Sequence, residues 1–295
     1  MPEAALIEIA STDLSAAINP YGAELTHLRD AAGRELMTDA NPAFWRGHAP
    51  ILFPIVGALH GDTLRLDGER YTMGKHGFAR RSTFVVVEHS ATRAVFLLED
   101  SAETLAIYPR RFALRLTYAI DGATLSVTAE IENRETARVL PASFGFHPAF
   151  AWPLPYDKPR AAHRIVFAAD EPEALRTLTA DGLILPDERA SPLDDARTLH
   201  LRDDLFDNDA LIWDAVRAQS VRYGADTGPQ LRVDFPDTPK LGIWTKPGAA
   251  YVCIEPWHGI ADPRGFEGDF TAKPGVFALA PGESKTCAIH VTLEP

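Results

Sequence analysis

Only two cysteines, Cys253 and Cys287, occur in the 295 residues, and they form neither a CxxC pair nor any repeated spacing. This points to reduced thiols in the cytoplasm, with surplus burial as the simplest use for both. At 46% hydrophobic content, a chain of this length can bury a core large enough to need neither disulfides nor a structural metal. Basic charge is in deficit: the formal net charge is -12 and the isoelectric point about 5.3, with no local Lys/Arg cluster. Such a balance repels phosphate backbones and anionic lipid surfaces, so neither nucleic acid nor a membrane is an expected partner. No apolar run approaches the ~20 residues that span a bilayer, and the N-terminal stretch MPEAALIEIASTDL lacks a basic segment followed by an apolar one. A soluble, unexported chain is expected.

Several common motifs are missing as well. There is no GxGxxG ahead of a helix, no HExxH and no GxSxG. GERYTMGKH approaches a phosphate-binding loop, but five residues separate Gly68 from Gly74 where four are required, and His76 stands where Ser or Thr belongs. Nucleotide binding, zinc proteolysis and serine-hydrolase chemistry are therefore not expected.

What the chain does have is alternation with period two. Leu64 and Leu66 lead into Asp67-Gly68, and Tyr71 and Met73 resume the pattern. In LRLTYAIDGATLSVTAEIEN, Leu114, Leu116, Tyr118 and Ile120 precede Asp121-Gly122, while Leu125, Val127, Ala129 and Ile131 follow it. Both stretches read as hairpins with tight turns. Helical periodicity is confined to short pieces such as DDARTLHLRDDLF, with room for a turn or two. The 23 prolines and 20 glycines punctuate the whole chain without marking a linker. The loopiest point, Pro153 to Arg160, is soon followed by the strand-like LRTLTADGLIL. These features predict an all-β fold: one large antiparallel domain over residues 1–295, with two sheets packed face to face.

Three segments set titratable groups inside apolar or aromatic runs. KHGFARR carries His76 and Arg80, which also fit a solvated surface loop. FGFHPAF carries His147 among phenylalanines, where a satisfied core histidine is the plainer alternative, and Pro148 limits ladder pairing beyond it. AYVCIEPWHGIAD carries Glu255 at the end of a strand-like apolar run, where an ionised carboxylate is costly unless paired or used. The Glu255-x-x-His258 spacing matches helical di-metal sites, but Pro256 in a strand-rich context denies the helix, so no metal is expected. Together the segments offer a carboxylate, two imidazoles and a guanidinium, a set suited to moving protons between oxygen atoms near neutral pH. Phe78, Phe146, Trp244 and Trp257 can pack against the apolar face of a sugar ring while excluding water.

HGFAR, FGFHPAF and CIEPWHGIAD, in this order in an all-β chain, resemble the aldose 1-epimerase (galactose mutarotase) family, and more closely its shorter bacterial branch. The similarity runs from PYGAEL near residue 20 to LAPGES near residue 280. It implies a large β-sandwich of the galactose mutarotase-like type and cofactor-free interconversion of the α and β anomers of a monosaccharide. Carried over by motif, Glu255 would take the proton of the anomeric hydroxyl and His147 would protonate the ring oxygen. His76 would hydrogen-bond the substrate, with Arg80 as a hydroxyl ligand. In LFDNDALIW the family's substrate-binding acid falls on Asp209, with Asp207 as competitor. The family commonly carries an arginine shortly after its FPxxG segment, where this chain has Ala58 after Gly57 and His60 nearby. Two other readings stay open at this level: a non-catalytic sugar-binding or regulatory protein on the same fold, and a glycoside hydrolase using Glu255 and Asp209.

Overall fold

The structure, a computed structural model, describes residues 5–295 apart from Pro172; the first four residues of the N-terminal segment thus lie outside it. Among the described residues no helix is long and apolar enough to cross a membrane. The longest hairpin shows why the chain folds as sheet. Strands Phe112–Asp121 and Thr124–Asn133 pair antiparallel, with Leu116 opposite Ala129 and Tyr118 opposite Val127. The expected inward set, Leu114 through Ile131, is buried. The turn sits one step later than the motif suggests: Asp121 still pairs with Thr124, so Gly122-Ala123 make the bend, with Gly122 at φ +52°. In the shorter hairpin Leu66 pairs with Glu69 and the turn is Asp67-Gly68, both at positive φ, the backbone that suits the twist of paired strands.

This long hairpin lies within a nine-stranded sheet that runs from edge strand Thr198–His200 to edge strand Val85–His89. A second large sheet contains, in spatial order, Ile184–Arg189, Leu175–Leu178, Leu211–Trp213, Lys240–Trp244, Tyr251–His258, Phe144–Phe146 and Ile51–Leu52, with Ala149–Ala151 also paired to Tyr251–His258. All pairings within both sheets are antiparallel. One apolar cluster from Ile9 to Val291 draws side chains from both, the shared core of a β-sandwich. Among the described residues helical structure is limited to Ala102–Leu105 and short 3-10 turns. DDARTLHLRDDLF is part strand, Thr198–His200, and part 3-10 turn, Asp203–Phe206, because its apolar residues are too few to sustain a helical stripe.

Candidate functional site

Strand Tyr251–His258 is buried along its full length at the centre of the second sheet. Period-two alternation sends Val252 and Ile254 into the main core, and Cys253, Glu255 and Trp257 to the opposite face. On one side Glu255 lies beside Gly242. On the other, Gly145 pairs with Trp257 and Ala149 with Cys253, two pairings of the same register. That register puts His147 directly opposite Glu255. Pro148 and Pro256 have no N–H to give, so the ladder is interrupted around this pair, although the Ile254 N–H still donates to the Pro148 carbonyl at 3.2 Å. The imidazole Nε2 of His147 stands 3.1 Å from a Glu255 carboxylate oxygen. Glu255 is 2% exposed and His147 7%.

Trp257 floors the site. A Cβ on Gly242 would come within 2.5 Å of its ring, and one on Gly145 within 2.7 Å, so the two glycines let the indole lie across three strands. Trp45 stands 5.0 Å from the His147 ring and meets Trp244 edge to face at 5.7 Å. With Leu178, Ile184 and Ile212 these rings wall a cavity of about 250 Å³. Into it face His147, Glu255, His76, Arg80, Asp209 and Lys75.

The KHGFARR segment reaches the cavity through a left-handed turn, His76 at φ +69° and Gly77 at +70°. The His76 N–H donates to Gly57 O at 2.9 Å, and the Gly57 N–H donates to His76 Nδ1 at 3.1 Å. Because Nδ1 accepts, a neutral His76 carries its proton on Nε2, as a donor. The same turn sends Phe78 the other way. It is 9% exposed, packs on Phe53, Tyr108 and Phe112, and does not line the cavity, so the expectation that it contacts substrate is corrected. Phe146 is likewise a core residue. Asp209, at φ +70°, lines the cavity; Asp207 is exposed and does not. Trp45 and Lys75 are cavity residues missing from the expected set. Lys75 belongs to the very motif that flagged His76, whereas Trp45 lies in FWRGH, far in sequence from the three segments that flagged the site.

Burial dominates the electrostatics. It pushes the Glu255 carboxyl well above the usual carboxylate range, with Lys75 opposing and Asp209 reinforcing the shift. It lowers His147 to about 3, with Lys75 and Arg80 adding to the effect. The buried pair therefore holds one proton and is neutral overall. His76 is lowered well below 6.5 by burial and by His147, Lys75 and Arg80. Three possible metal donors, on His147, Cys253 and Glu255, lie within 4.8 Å of one another. His147 Nε2 is already committed to Glu255, and burial holds the Cys253 thiol protonated. His258 faces away from the cavity; burial and Lys285 lower it to about 4.

A family model described as aldose 1-epimerase matches residues 5–291. The chain belongs to the aldose 1-epimerase family. It is 30% identical to the chromosomal LacX protein of Lactococcus lactis subsp. lactis, over 97% of this chain and 99% of that protein. A galactose mutarotase related enzyme from Lactobacillus acidophilus superposes with a TM-score of 0.90 at 31% identity, covering 98% of this chain and 97% of that one. A galactose mutarotase-like protein from Lactobacillus casei also gives 0.90, at 29% identity, with 98% and 100% covered. Family membership supports an epimerase or mutarotase role at the level of the family.

The buried histidines give this family member an acid-sensitive fold. His76, His147 and His258 all bind protons more weakly in the folded chain than at their ordinary value of 6.5. The stability they contribute is fully present above pH 6.5 and is lost as the pH falls toward the folded-state values. Glu255, raised above 4.5, acts in the opposite sense, with one proton against three. Thermal unfolding should therefore show Tm falling from about pH 7 to about pH 5. The fall should be smaller in His258→Asn, and an equal fall in that variant would contradict the assignment.

Proposed function

We propose that the protein is a cofactor-independent aldose 1-epimerase, working as a single domain in the reducing cytoplasm, that interconverts the α and β anomers of a monosaccharide. The observation that carries this reading is the pairing of His147 with Glu255 at 3.1 Å on the floor of an aromatic-walled cavity. The two oxygens of one hemiacetal, on C1 and in the ring, are bonded to the same carbon, so the groups that serve them must also be close together. With the pair's one proton passed across the 3.1 Å contact to His147, ionised Glu255 accepts the proton from the C1 hydroxyl as the C1=O bond forms. His147 gives its proton to the ring oxygen as the C1–O5 bond breaks. After rotation about C1–C2 the carbonyl is attacked from its other face, His147 recovers its proton from the attacking hydroxyl and Glu255 returns its own to O1. The single proton of the pair is restored at the end of each turnover, and no cofactor enters the balance. His76, with Nε2–H as donor, and Asp209 bind the sugar hydroxyls, while Trp244 and Trp45 pack on its apolar face.

Exchange between anomers, followed by polarimetry or by NMR on freshly dissolved α-aldoses, tests this directly. A rate above buffer with at least one aldose is expected, and His258→Asn should stay within about three-fold of the parent, since it touches none of the reacting atoms. A flat response across a panel of aldoses, their phosphates and uronates, with sugar still bound, would make the protein a binder instead.

A further inference from the structure

Two cations line the cavity and neither has a carboxylate oxygen within 4.0 Å among the described residues. Lys75 is exposed at the mouth. Arg80 is partly buried; its Nη2 donates to the Lys75 carbonyl at 2.8 Å, and its Nε–H is buried without a partner. The acid that most influences Arg80, Glu24, is spent on the backbone N–H groups of His48 and Ala49. Against these two positive charges the cavity sets one formal negative charge, Asp209, since the His147–Glu255 pair is neutral as a unit and His76 is uncharged. The site is thus net positive in a chain whose net charge is -12. Arg80 by itself can serve a neutral sugar's hydroxyl, but a second unpaired cation beside it adds charge that hydroxyls do not neutralise.

The position of Lys75 adds a second, independent observation. A Cβ built on Gly182, a cavity residue, would lie 3.8 Å from Lys75 Nζ and 3.7 Å from the Cβ of Ala58. Lys75 and Ala58 thus flank the same glycine, the ammonium lying no more than about 7.5 Å from the Cβ of Ala58, the position where the sequence lacks an expected arginine. His60, close to Ala58 in sequence, does not line the cavity.

Resting on the anomerase reading, we propose that the substrate is an anionic aldose, bearing a phosphate or carboxylate that Lys75 and Arg80 hold at the cavity mouth while the hemiacetal lies over His147 and Glu255. A phosphate or carboxylate there takes up the free ammonium protons and the idle guanidinium N–H in charge-assisted hydrogen bonds.

Matched pairs test it. Anomer exchange by NMR is measured for glucose against glucose 6-phosphate and galactose against galacturonate, with the phosphate and carboxylate arms telling the two anions apart. At least one anionic sugar should exceed its neutral partner by roughly ten-fold in kcat/KM, and Lys75→Met should reduce that ratio by a similar factor. Arg80→Met should reduce it too. Calorimetric titration with the same sugars gives a parallel reading independent of turnover. If neutral and anionic sugars exchange equally, or if the ratio survives Lys75→Met, the anionic-substrate inference is wrong while the anomerase reading stands. If no sugar exchanges, the anomerase reading fails, and tighter binding of the anionic sugars, lost in Lys75→Met, still decides the charge preference.

Discussion

Glu255→Gln should lower the rate of anomer exchange by about 10²- to 10⁴-fold, the usual worth of one positioned acid or base, with the fold intact. The amide keeps the shape of the carboxyl, so the contact with His147 and the packing over Gly242 survive. What disappears is the ability to take a proton from one oxygen and give it back to another. Thermal stability should hold or rise, because the substitution removes a group whose ionised form is costly to bury. The pH profile of the parent is the companion measurement. An ordinary histidine would bend the profile near 6.5, but His147, held down to about 3 by burial, takes a proton from solvent only far below that and receives the one it donates from Glu255. The profile should therefore carry no His147 inflection near pH 6.5. A variant retaining more than a tenth of the parent rate, or a sharp break near pH 6.5 traced to His147, would overturn the assignment of roles.

Gly77→Ala should be the most damaging of the small substitutions. Its backbone is left-handed, φ +70°, and an added Cβ would stand 2.2 Å from the Phe53 carbonyl oxygen, with that residue's carbon at 2.6 Å. This oxygen cannot move freely, since it accepts from the N–H groups of both Phe78 and Ala79. Strain of the left-handed backbone alone costs about 1–2 kcal/mol, and forcing a close-packed contact apart adds about 1–3 kcal/mol. A loss of about 3 kcal/mol or more in denaturant unfolding is expected, together with reduced activity, because the same turn aims His76 into the cavity. Gly68→Ala is the control. It has φ +82° but nothing within 4 Å of the added Cβ, so only the backbone strain of about 1–2 kcal/mol remains. Equal losses in the two variants would show that the contact with Phe53 contributes nothing.

The parts of this molecule legible from residues alone are those written in local patterns. Both hairpins were visible because alternation and a glycine turn sit next to each other in the chain. Only the bend at Gly122-Ala123 differs, by one residue, since local pattern does not say which pair closes a ladder. Glu255 and His147 stood out because charge inside apolar runs is expensive. Their direct pairing was not legible, because it depends on the shared register of strands more than a hundred residues apart. Phe78 misled for a related reason: its neighbour His76 enters the cavity, and nothing in the string GF says that a left-handed turn separates their directions. Lys75 has no mark in the sequence beyond its place in KHGFARR. Its significance lies in its closeness to Gly182 and Ala58, which are remote in sequence.

The cross-strand placement of His147 and Glu255 divides the labour within the cavity. Both side chains hang from a central sheet whose spacing is set by pairings above and below them, so neither can be shifted without disturbing rungs at Cys253 and Trp257. Glu255 lies within its strand and His147 in the two-residue break between Phe144–Phe146 and Ala149–Ala151, pinned from both sides, whereas Lys75, Arg80 and Asp209 stand on turns away from the strands of that sheet. A chain built this way can exchange its rim residues, and with them the sugars it admits, while the machinery that opens the ring stays where the strands have put it.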